Sequence, residues 1–467
     1  MIHHFGKIWC PIGNALGKET VLSKAINNID VFKIKLNNAY DDSKTKYVQM
    51  VSKLDSGKSV MLELKGPEVR VKNLNTLELK KWADIEILYC DFFEDNSEHL
   101  LIDYSLMLDI TKWAILVVDN KECIKIKDNQ DGKLIWEVLA DTVIASDVLI
   151  SFTNYNPVIE FLTPRDQRDL IWAVQNNLNM IVIPYVRTVD DIASIRAHLN
   201  KNKGEHVKLI MKVMMMDCLD NLEDFLPHID AFLIYESDIN NLVGEEKGHE
   251  VINHLIEISN TDGRPVIVGI DCKKLTWKTA IDDCIKNYIN KWVSCFMFSD
   301  DIIDMDEPTD FIISFYESVL ANQIIEQPMI TYDQAKIHPE YLIHDYIIYN
   351  SYRSIIELGV KAVICYTENG YTAARLASYR PNVPIITFTK NDYAYRYLNL
   401  LWSVKGYKIA PGFDYNNVKQ IGKEIIRILF KGNITLEDRI LVLHASSAAP
   451  DTSNIINGTE IYKFKDI

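Results

Sequence analysis

The sequence has no secretory signal, no membrane-spanning run and no long basic cluster. Residues Met1 to Gly6 lack the basic start and apolar run of a signal peptide, and no later segment offers about 20 uncharged apolar residues. The net charge of −15 repels a nucleic-acid backbone, and no stretch rich in lysine and arginine opposes that repulsion locally. We therefore expect a soluble cytoplasmic protein that binds neither nucleic acid nor a membrane.

Cysteine, proline and glycine are also sparse, at 8, 14 and 18 of 467 residues. The cysteines form no C-x-x-C pair and have no histidine at ligand spacing, which excludes the common zinc motifs. We expect them to be reduced thiols that behave as small buried apolar residues. With 48% apolar and 25% charged residues, the chain has the composition of a globular protein, and its length requires two or three domains.

Apolar strands alternate with helix-length amphipathic stretches over the first 300 residues, which is the pattern of parallel βα units. The predicted strands are Lys7–Cys10, Val31–Leu36, Ser59–Glu63, Met180–Pro184, Lys208–Val213, Ala231–Tyr235, Pro265–Ile270 and Cys295–Phe298. Eight parallel strands close a (β/α)8 TIM barrel, whose active site lies at the carboxyl ends of the strands.

Two further regions depart from this regular pattern. Roughly 115 residues separate the third and fourth strands, and they contain alternating runs typical of a small antiparallel β domain. These runs are Ala114–Val118, Cys123–Ile126 and Lys133–Val138. After Ala321 a separate α/β domain is predicted, with strands Lys361–Thr367, Pro384–Thr389, Lys405–Ile409 and Arg439–His444. The predicted domains are residues 1–66 and 159–325 for the barrel, 67–158 for the insert and 326–467 for the last domain.

Several segments resemble the pyruvate kinase family, in the order in which that family has them. They are Lys7–Gly13, Met61–Arg70, Leu162–Leu170, Thr367–Arg375 and Tyr379–Ile386, and the resemblance covers nearly the whole chain. It implies a TIM barrel with a small β-barrel domain inserted after strand 3 and a C-terminal α/β domain. It also implies phosphoryl transfer between phosphoenolpyruvate and ADP, giving pyruvate and ATP in glycolysis, with Mg²⁺ and K⁺, in a tetramer.

The resemblance assigns a role to particular residues of this chain. Catalytic roles fall on Lys212, Lys35 and Arg70, and substrate binding falls on Asn37, Lys65 and Ser237. Metal binding falls on Asp238 and Glu63, and an effector-binding loop contains Thr367, Gly370 and Thr372. Phosphoryl transfer needs such cations because the charge of the moving group is spread over its oxygens.

The magnesium and substrate positions depart from the family pattern. Met214 stands where a metal-binding glutamate belongs, and a neutral thioether is a poor ligand for Mg²⁺. Ile270 replaces a threonine tied to enol protonation. Ser237 and Asn240 replace glycines, and Glu236 replaces an arginine, so the pocket for the substrate carboxylate is expected to be crowded and more negative. Asp271 and Glu236 stay open as sources of a replacement metal ligand.

The potassium, phosphate and nucleotide positions are altered as well. Lys35 replaces an arginine and so loses the bidentate fork. Ala39 and Leu64 replace hydroxyl residues and Glu63 replaces an aspartate at the monovalent site, so both metals are in doubt. Pro184 replaces a phosphate-contacting serine. Tyr40 replaces a histidine and Asn14 replaces a proline, both on the nucleotide side.

Structural explanations compete with these functional ones. Lys212 could be a surface lysine rather than a pocket lysine, and Met214 to Met216 could simply fill the core. Asp238 could be a helix N-cap. Lys65 and Arg70 could form structural ion pairs.

Three functions stay open at this point. The chain is a weak or inactive pseudoenzyme that serves as a structural or regulatory subunit of a pyruvate kinase tetramer, an active divergent pyruvate kinase, or a small-molecule binding protein that reuses the cleft. Its partners would be further copies of itself or an intact paralogue, and binding of ADP, ATP and phosphoenolpyruvate is in doubt. Glu368 places an anion in the effector loop, so we expect no ordinary binding of a sugar bisphosphate.

Overall fold

The structure is a computed structural model that forms two compact units. One comprises Met1–Ile34, Thr45–Glu63 and Leu170–Ile467, and the other comprises Lys35–Lys44 and Leu64–Asp169. The described residues are 5–13, 16–35, 42–90, 93–104, 114–118, 121–130, 133–154, 159–275, 277–323, 330, 331, 335, 341–410, 415–444 and 458–467.

The first unit contains a closed barrel of eight parallel strands, which confirms the predicted TIM barrel. The strands are β1 (Lys7–Pro11), β2 (Val31–Lys35), β3 (Ser59–Glu63), β13 (Met180–Ile183), β14 (Lys208–Val213), β15 (Ala231–Tyr235), β16 (Val266–Ile270) and β17 (Cys295–Phe298). Both faces of these strands are covered, so they are apolar along nearly their whole length. The predicted strands that ended at Pro184 or began at Pro265 were one residue too long there.

Helices connect the barrel strands and continue into the C-terminal region. They are α1 (Glu19–Ala25), α2 (Asp42–Leu54), α3 (Pro164–Gln175), α4 (Val189–Lys201), α5 (Leu222–Phe225), α6 (Glu236–Val243), α7 (Glu245–Asp262), α8 (Lys278–Asn290), α9 (Pro308–Asn322), α10 (Leu342–Glu357), α11 (Tyr371–Ser378), α12 (Asp392–Tyr397) and α13 (Tyr415–Leu429). In the described part of the chain, no helix has the length and apolar character needed to cross a bilayer.

The second unit is the predicted β insertion. Its strands are β4 (Val69–Arg70), β5 (Leu77–Leu79), β6 (Asp84–Tyr89), β7 (Leu100–Ile102), β8 (Ile115–Val118), β9 (Lys121–Gln130), β10 (Lys133–Val138), β11 (Thr142–Ile144) and β12 (Leu149–Thr153). Seven of them form one barrel-like sheet in the order β4-β12-β8-β9-β10-β6-β7 around the buried Trp136. Pairing is antiparallel except between β6 and β7, which run parallel.

The C-terminal α/β region has a five-stranded sheet in the order β20-β19-β18-β21-β22. Its strands are β18 (Ala362–Tyr366), β19 (Ile385–Thr389), β20 (Val404–Lys408), β21 (Arg439–His444) and β22 (Gly458–Lys463). The last strand pairs antiparallel with β21 and was not predicted. The four predicted domain ranges remain a prediction.

Arg380 joins this region to the barrel within the first unit. Its side chain is 1% exposed and donates hydrogen bonds to the backbone oxygens of Trp292 and Val293 and to Ser294 Oγ. Burial lowers its pKa to about 9. These buried hydrogen bonds hold the C-terminal region against the barrel.

All eight cysteines are free, and six of them are buried. Burial raises the pKa of Cys218 to about 11 and that of Cys272 to about 12, so the reactive thiolate is disfavoured. The burial of these six cysteines agrees with the expectation of small apolar residues, and their reduced state stays a prediction.

Candidate functional site

Several polar residues lie near the carboxyl ends of the otherwise apolar barrel strands. Glu63 and Tyr235 are the last residues of β3 and β15, and Lys212 is the last but one of β14. Lys33 lies in the middle of β2, and Asp300 follows β17. Because parallel strands all end at one rim, these side chains converge there.

Five of the charged groups form a continuous chain of alternating sign. Lys33 Nζ lies 2.7 Å from Asp300 Oδ1 and 2.9 Å from Glu63 Oε2. The other oxygen of Glu63 lies 4.0 Å from Lys212 Nζ, which in turn lies 3.3 Å from Asp238 Oδ2. We call this group the rim network. It matches two ammonium groups to three carboxylates, so each carboxylate already has a cationic neighbour.

Lys33 is the most enclosed member, with its side chain 2% exposed. Burial by itself lowers the pKa of a lysine, but Asp300 and Glu63 outweigh burial and raise the pKa of Lys33 well above its usual value. Lys33 is therefore a fixed positive charge at neutral pH.

Tyr235 fills the space beside the network. Lys212 Nζ lies 5.0 Å from the centre of its ring, within the range of a cation–π contact. The ring also packs so closely on Gly269 that a Cβ at that glycine would lie 2.1 Å from it. A large aromatic ring therefore occupies the space between Lys212 and Gly269. Burial raises the pKa of Tyr235, so its hydroxyl stays neutral.

The side chains present do not fit a magnesium ion. Asp238 is engaged with Lys212, and Met214 offers no oxygen. Glu236 accepts a hydrogen bond of 2.9 Å from Tyr288, and Asp271 lies 3.3 Å from Lys274 Nζ. In the described part of the chain, no group of three or more histidine, cysteine, aspartate or glutamate residues could hold a metal ion.

The monovalent position does not fit a metal ion either. Glu63 already contacts an ammonium group, and the buried Leu64 has no side-chain oxygen. Asn37, Ala39, Tyr40 and Asn14 lie outside the described residues. The backbone of Lys35 ends β2, and its side chain also lies outside them.

Ser237 and Asp238 lie in the first turn of α6. Ser237 is exposed, and its role in substrate binding remains a prediction. The N-cap of α6 is Tyr235, so the reading of Asp238 as an N-cap was wrong. Asp238 instead contributes a carboxylate to the rim network.

Lys65 and Arg70 lie in the second unit, where both form ion pairs. Lys65 Nζ lies 2.9 Å from Asp103 and donates to the Glu68 backbone oxygen. Arg70 pairs with Glu68 at 2.5 Å and donates to the Asp147 backbone oxygen at 2.7 Å. The structural explanation that the sequence left open for these two residues is therefore present in the molecule.

The groups of the effector loop are engaged inside the chain. Thr367 Oγ1 accepts a hydrogen bond from the backbone N–H of Gly370, and Thr372 Oγ1 lies 3.2 Å from the Nε2 atom of buried His344. Glu368 accepts a hydrogen bond from the Tyr366 hydroxyl. A phosphate would therefore have to displace internal partners and approach Glu368.

Sequence reasoning missed three residues of the site, namely Lys33, Tyr235 and Asp300. One signal was available: Lys33 is a charged residue within an apolar strand buried on both faces, and such a residue needs a partner. The partners themselves carry no local signal, because Glu63 and Asp300 lie 30 and 267 residues further along the chain.

Comparison with known proteins identifies two family domains in the chain. Residues 4–273 match the model described as pyruvate kinase, barrel domain, and residues 345–457 match pyruvate kinase, alpha/beta domain. Pyruvate kinase of Clostridium perfringens is 23% identical over 98% of each chain. That of Sporosarcina psychrophila is 23% identical over 85% of this chain and 70% of the relative. The crystal structure of Cryptosporidium parvum pyruvate kinase has the same fold, with a TM-score of 0.84, 19% identity and coverage of 99% and 97%.

Proposed function

Because the chain belongs to the pyruvate kinase family, we propose that it is a weak or inactive member that serves as a structural or regulatory subunit of a pyruvate kinase tetramer. The observation that carries the proposal is the rim network together with Tyr235. Asp238 and Glu63 have ammonium neighbours, and a ring fills the space next to Lys212. A site of this kind offers little to a dication or to the carboxylate of enolpyruvate.

The expected loss of rate follows from the number of altered contributors. Removing one well-placed electrostatic contributor costs a factor of about 10² to 10³ in turnover. Met214 removes an anionic metal ligand, and Ile270 removes a hydroxyl at the end of β16. We expect turnover of phosphoenolpyruvate and ADP to be lower than in an intact homologue by at least about 10³.

The test is a pyruvate-forming assay on the purified chain, with Mg²⁺ and K⁺ both present. Lys212→Met is the matched control, because it removes the ammonium group that the family uses. A residual rate that persists in Lys212→Met comes from contaminating enzyme. A Lys212-dependent rate within tenfold of an ordinary family member refutes the proposal and supports the divergent active enzyme instead.

A role in an assembly is supported by apolar surface on α10. The adjacent residues Leu342 and Ile343 are 54% and 71% exposed in the isolated chain, and contiguous exposed apolar surface is typical of interaction sites. The net charge of −15 opposes close self-association at low salt, which favours a more basic paralogue as partner.

The complex can be purified from its own cells, weighed by light scattering and resolved by mass spectrometry. A monomer at micromolar concentration contradicts any subunit role. A tetramer of this chain alone contradicts the mixed assembly and leaves the homomeric one.

A further inference from the structure

Lys33 is a buried lysine in a barrel strand, a position where an ammonium group requires charged partners. It lies in β2 between strands that are apolar and fully covered, and its side chain is 2% exposed. Desolvating an ammonium group costs several kcal/mol unless charged partners compensate. Glu63 and Asp300 supply that compensation at 2.9 and 2.7 Å. The three groups therefore form one electrostatic unit.

The position of the ammonium group matters because of what it contacts. Glu63 stands where the family resemblance places an aspartate ligand of the monovalent metal, and Lys33 Nζ contacts its carboxylate directly. An ammonium group and a potassium ion carry the same charge and are similar in size, and both are attracted to carboxylate oxygens. A second monovalent cation at the same oxygens would be repelled by the first.

We propose that Lys33 is a covalently attached counter-ion that takes the place of a monovalent metal ion at Glu63, so that the chain neither binds K⁺ at this position nor needs it. The inference holds whether or not the protein turns over enolpyruvate, since it concerns charge balance in the barrel. Its test can therefore be made on stability and does not depend on activity.

The first measurement compares thermal unfolding of the unaltered protein in KCl and in choline chloride at equal ionic strength. Choline is too large to replace potassium in a protein site. We expect the two midpoints to agree within about 1 °C. A saturable rise of the midpoint in KCl, accompanied by thallium scattering beside Glu63 in crystals, overturns the proposal.

The second measurement uses Lys33→Met, which keeps the length of the side chain and removes its charge. The carboxylates of Glu63 and Asp300 are then left without the buried cation, and the variant should acquire dependence on an added one. We expect KCl to raise its midpoint above that in choline chloride by at least about 3 °C. The double variant Lys33→Met/Glu63→Gln should lose this dependence.

Each outcome decides the question. A folded Lys33→Met that responds equally to both salts shows that Lys33 only stabilises the fold, and overturns the proposal. If Lys33→Met does not fold in choline chloride but folds in KCl, the proposal is supported. If it folds in neither salt, the unaltered protein decides by its own response to KCl.

Discussion

The carboxyl group of Asp169 offers a quantitative test of the electrostatics in the second unit. It lies on α3 with its side chain 13% exposed, and the Nε atom of Arg165 lies 3.7 Å from its carboxylate. Burial raises its pKa from 3.8 to about 6, against the opposing effect of Arg165. The folded protein therefore binds a proton here more tightly than the unfolded chain does, and ionisation destabilises the fold.

The sign and size of the effect follow by linkage. Between about pH 4 and pH 6 the unfolded chain has lost this proton while the folded chain keeps it, so the free energy of unfolding falls as pH rises. A pKa difference of about 2.2 corresponds to about 3 kcal/mol, fully expressed above pH 6. Asp169→Asn removes the ionisation at nearly constant volume. We expect the variant to be more stable by up to about 3 kcal/mol at pH 7 and almost unchanged at pH 4.

The measurement is urea unfolding from pH 4 to pH 8, with hydrogen exchange of peptides from α3 to locate the change. Asp190→Asn serves as the matched control, because Asp190 is an exposed aspartate in the first turn of α4. The control should show no gain that grows between pH 4 and pH 6. An Asp169→Asn variant that is less stable than the parent at pH 7 refutes the reasoning, because it would make the ion pair with Arg165 stabilising overall.

Four further outcomes are expected. Met214→Glu should raise Mn²⁺ affinity, measured by electron paramagnetic resonance, at least about tenfold without restoring turnover, because it supplies one hard oxygen ligand only. Calorimetry should detect no micromolar binding of fructose bisphosphate, and Glu368→Ala should strengthen whatever weak binding there is. Arg380→Met should lower the free energy of unfolding by at least about 3 kcal/mol, because several buried acceptors lose a charged donor, whereas exposed Arg353→Met should change it by less than about 0.5 kcal/mol. Ile343→Glu should weaken self-association in light scattering without lowering the melting temperature of the monomer.

The barrel could be predicted because its strands carry their own signal. A run such as Ala231–Tyr235 is apolar throughout, and a parallel strand covered on both faces needs that composition. The last strand, β22, escaped prediction because it is a partly exposed edge strand that begins with glycine and contains Glu460 and Lys463. Its strand conformation depends on pairing with β21, which no local pattern reports.

The site was harder to predict than the fold, and for a physical reason. The replacement of a glutamate by Met214 is visible in the sequence, but its consequence depends on which cations surround the remaining carboxylates. Lys33 lies in β2, and Asp300 lies in the segment that begins at the carboxyl end of β17. These two residues meet because β2 and β17 both pair with β1. The loss of a metal ligand at Met214 can therefore be recognised in the sequence, whereas the role of Lys33 as a counter-ion depends on the fold.

Met214 and Lys33 both make the charge of the rim more positive. Replacing a glutamate with Met214 removes one negative charge, and the ammonium group of Lys33 places one positive charge beside Glu63 and Asp300. Glu236 makes the charge of the rim more negative, and its carboxylate accepts a hydrogen bond from Tyr288 on α8. A rim built this way balances its carboxylates with its own side chains, and that explains how the barrel can keep Asp238 and Glu63 buried or half-buried without a metal ion. Returning Met214 to glutamate therefore restores a ligand but leaves Lys33 in competition with any cation.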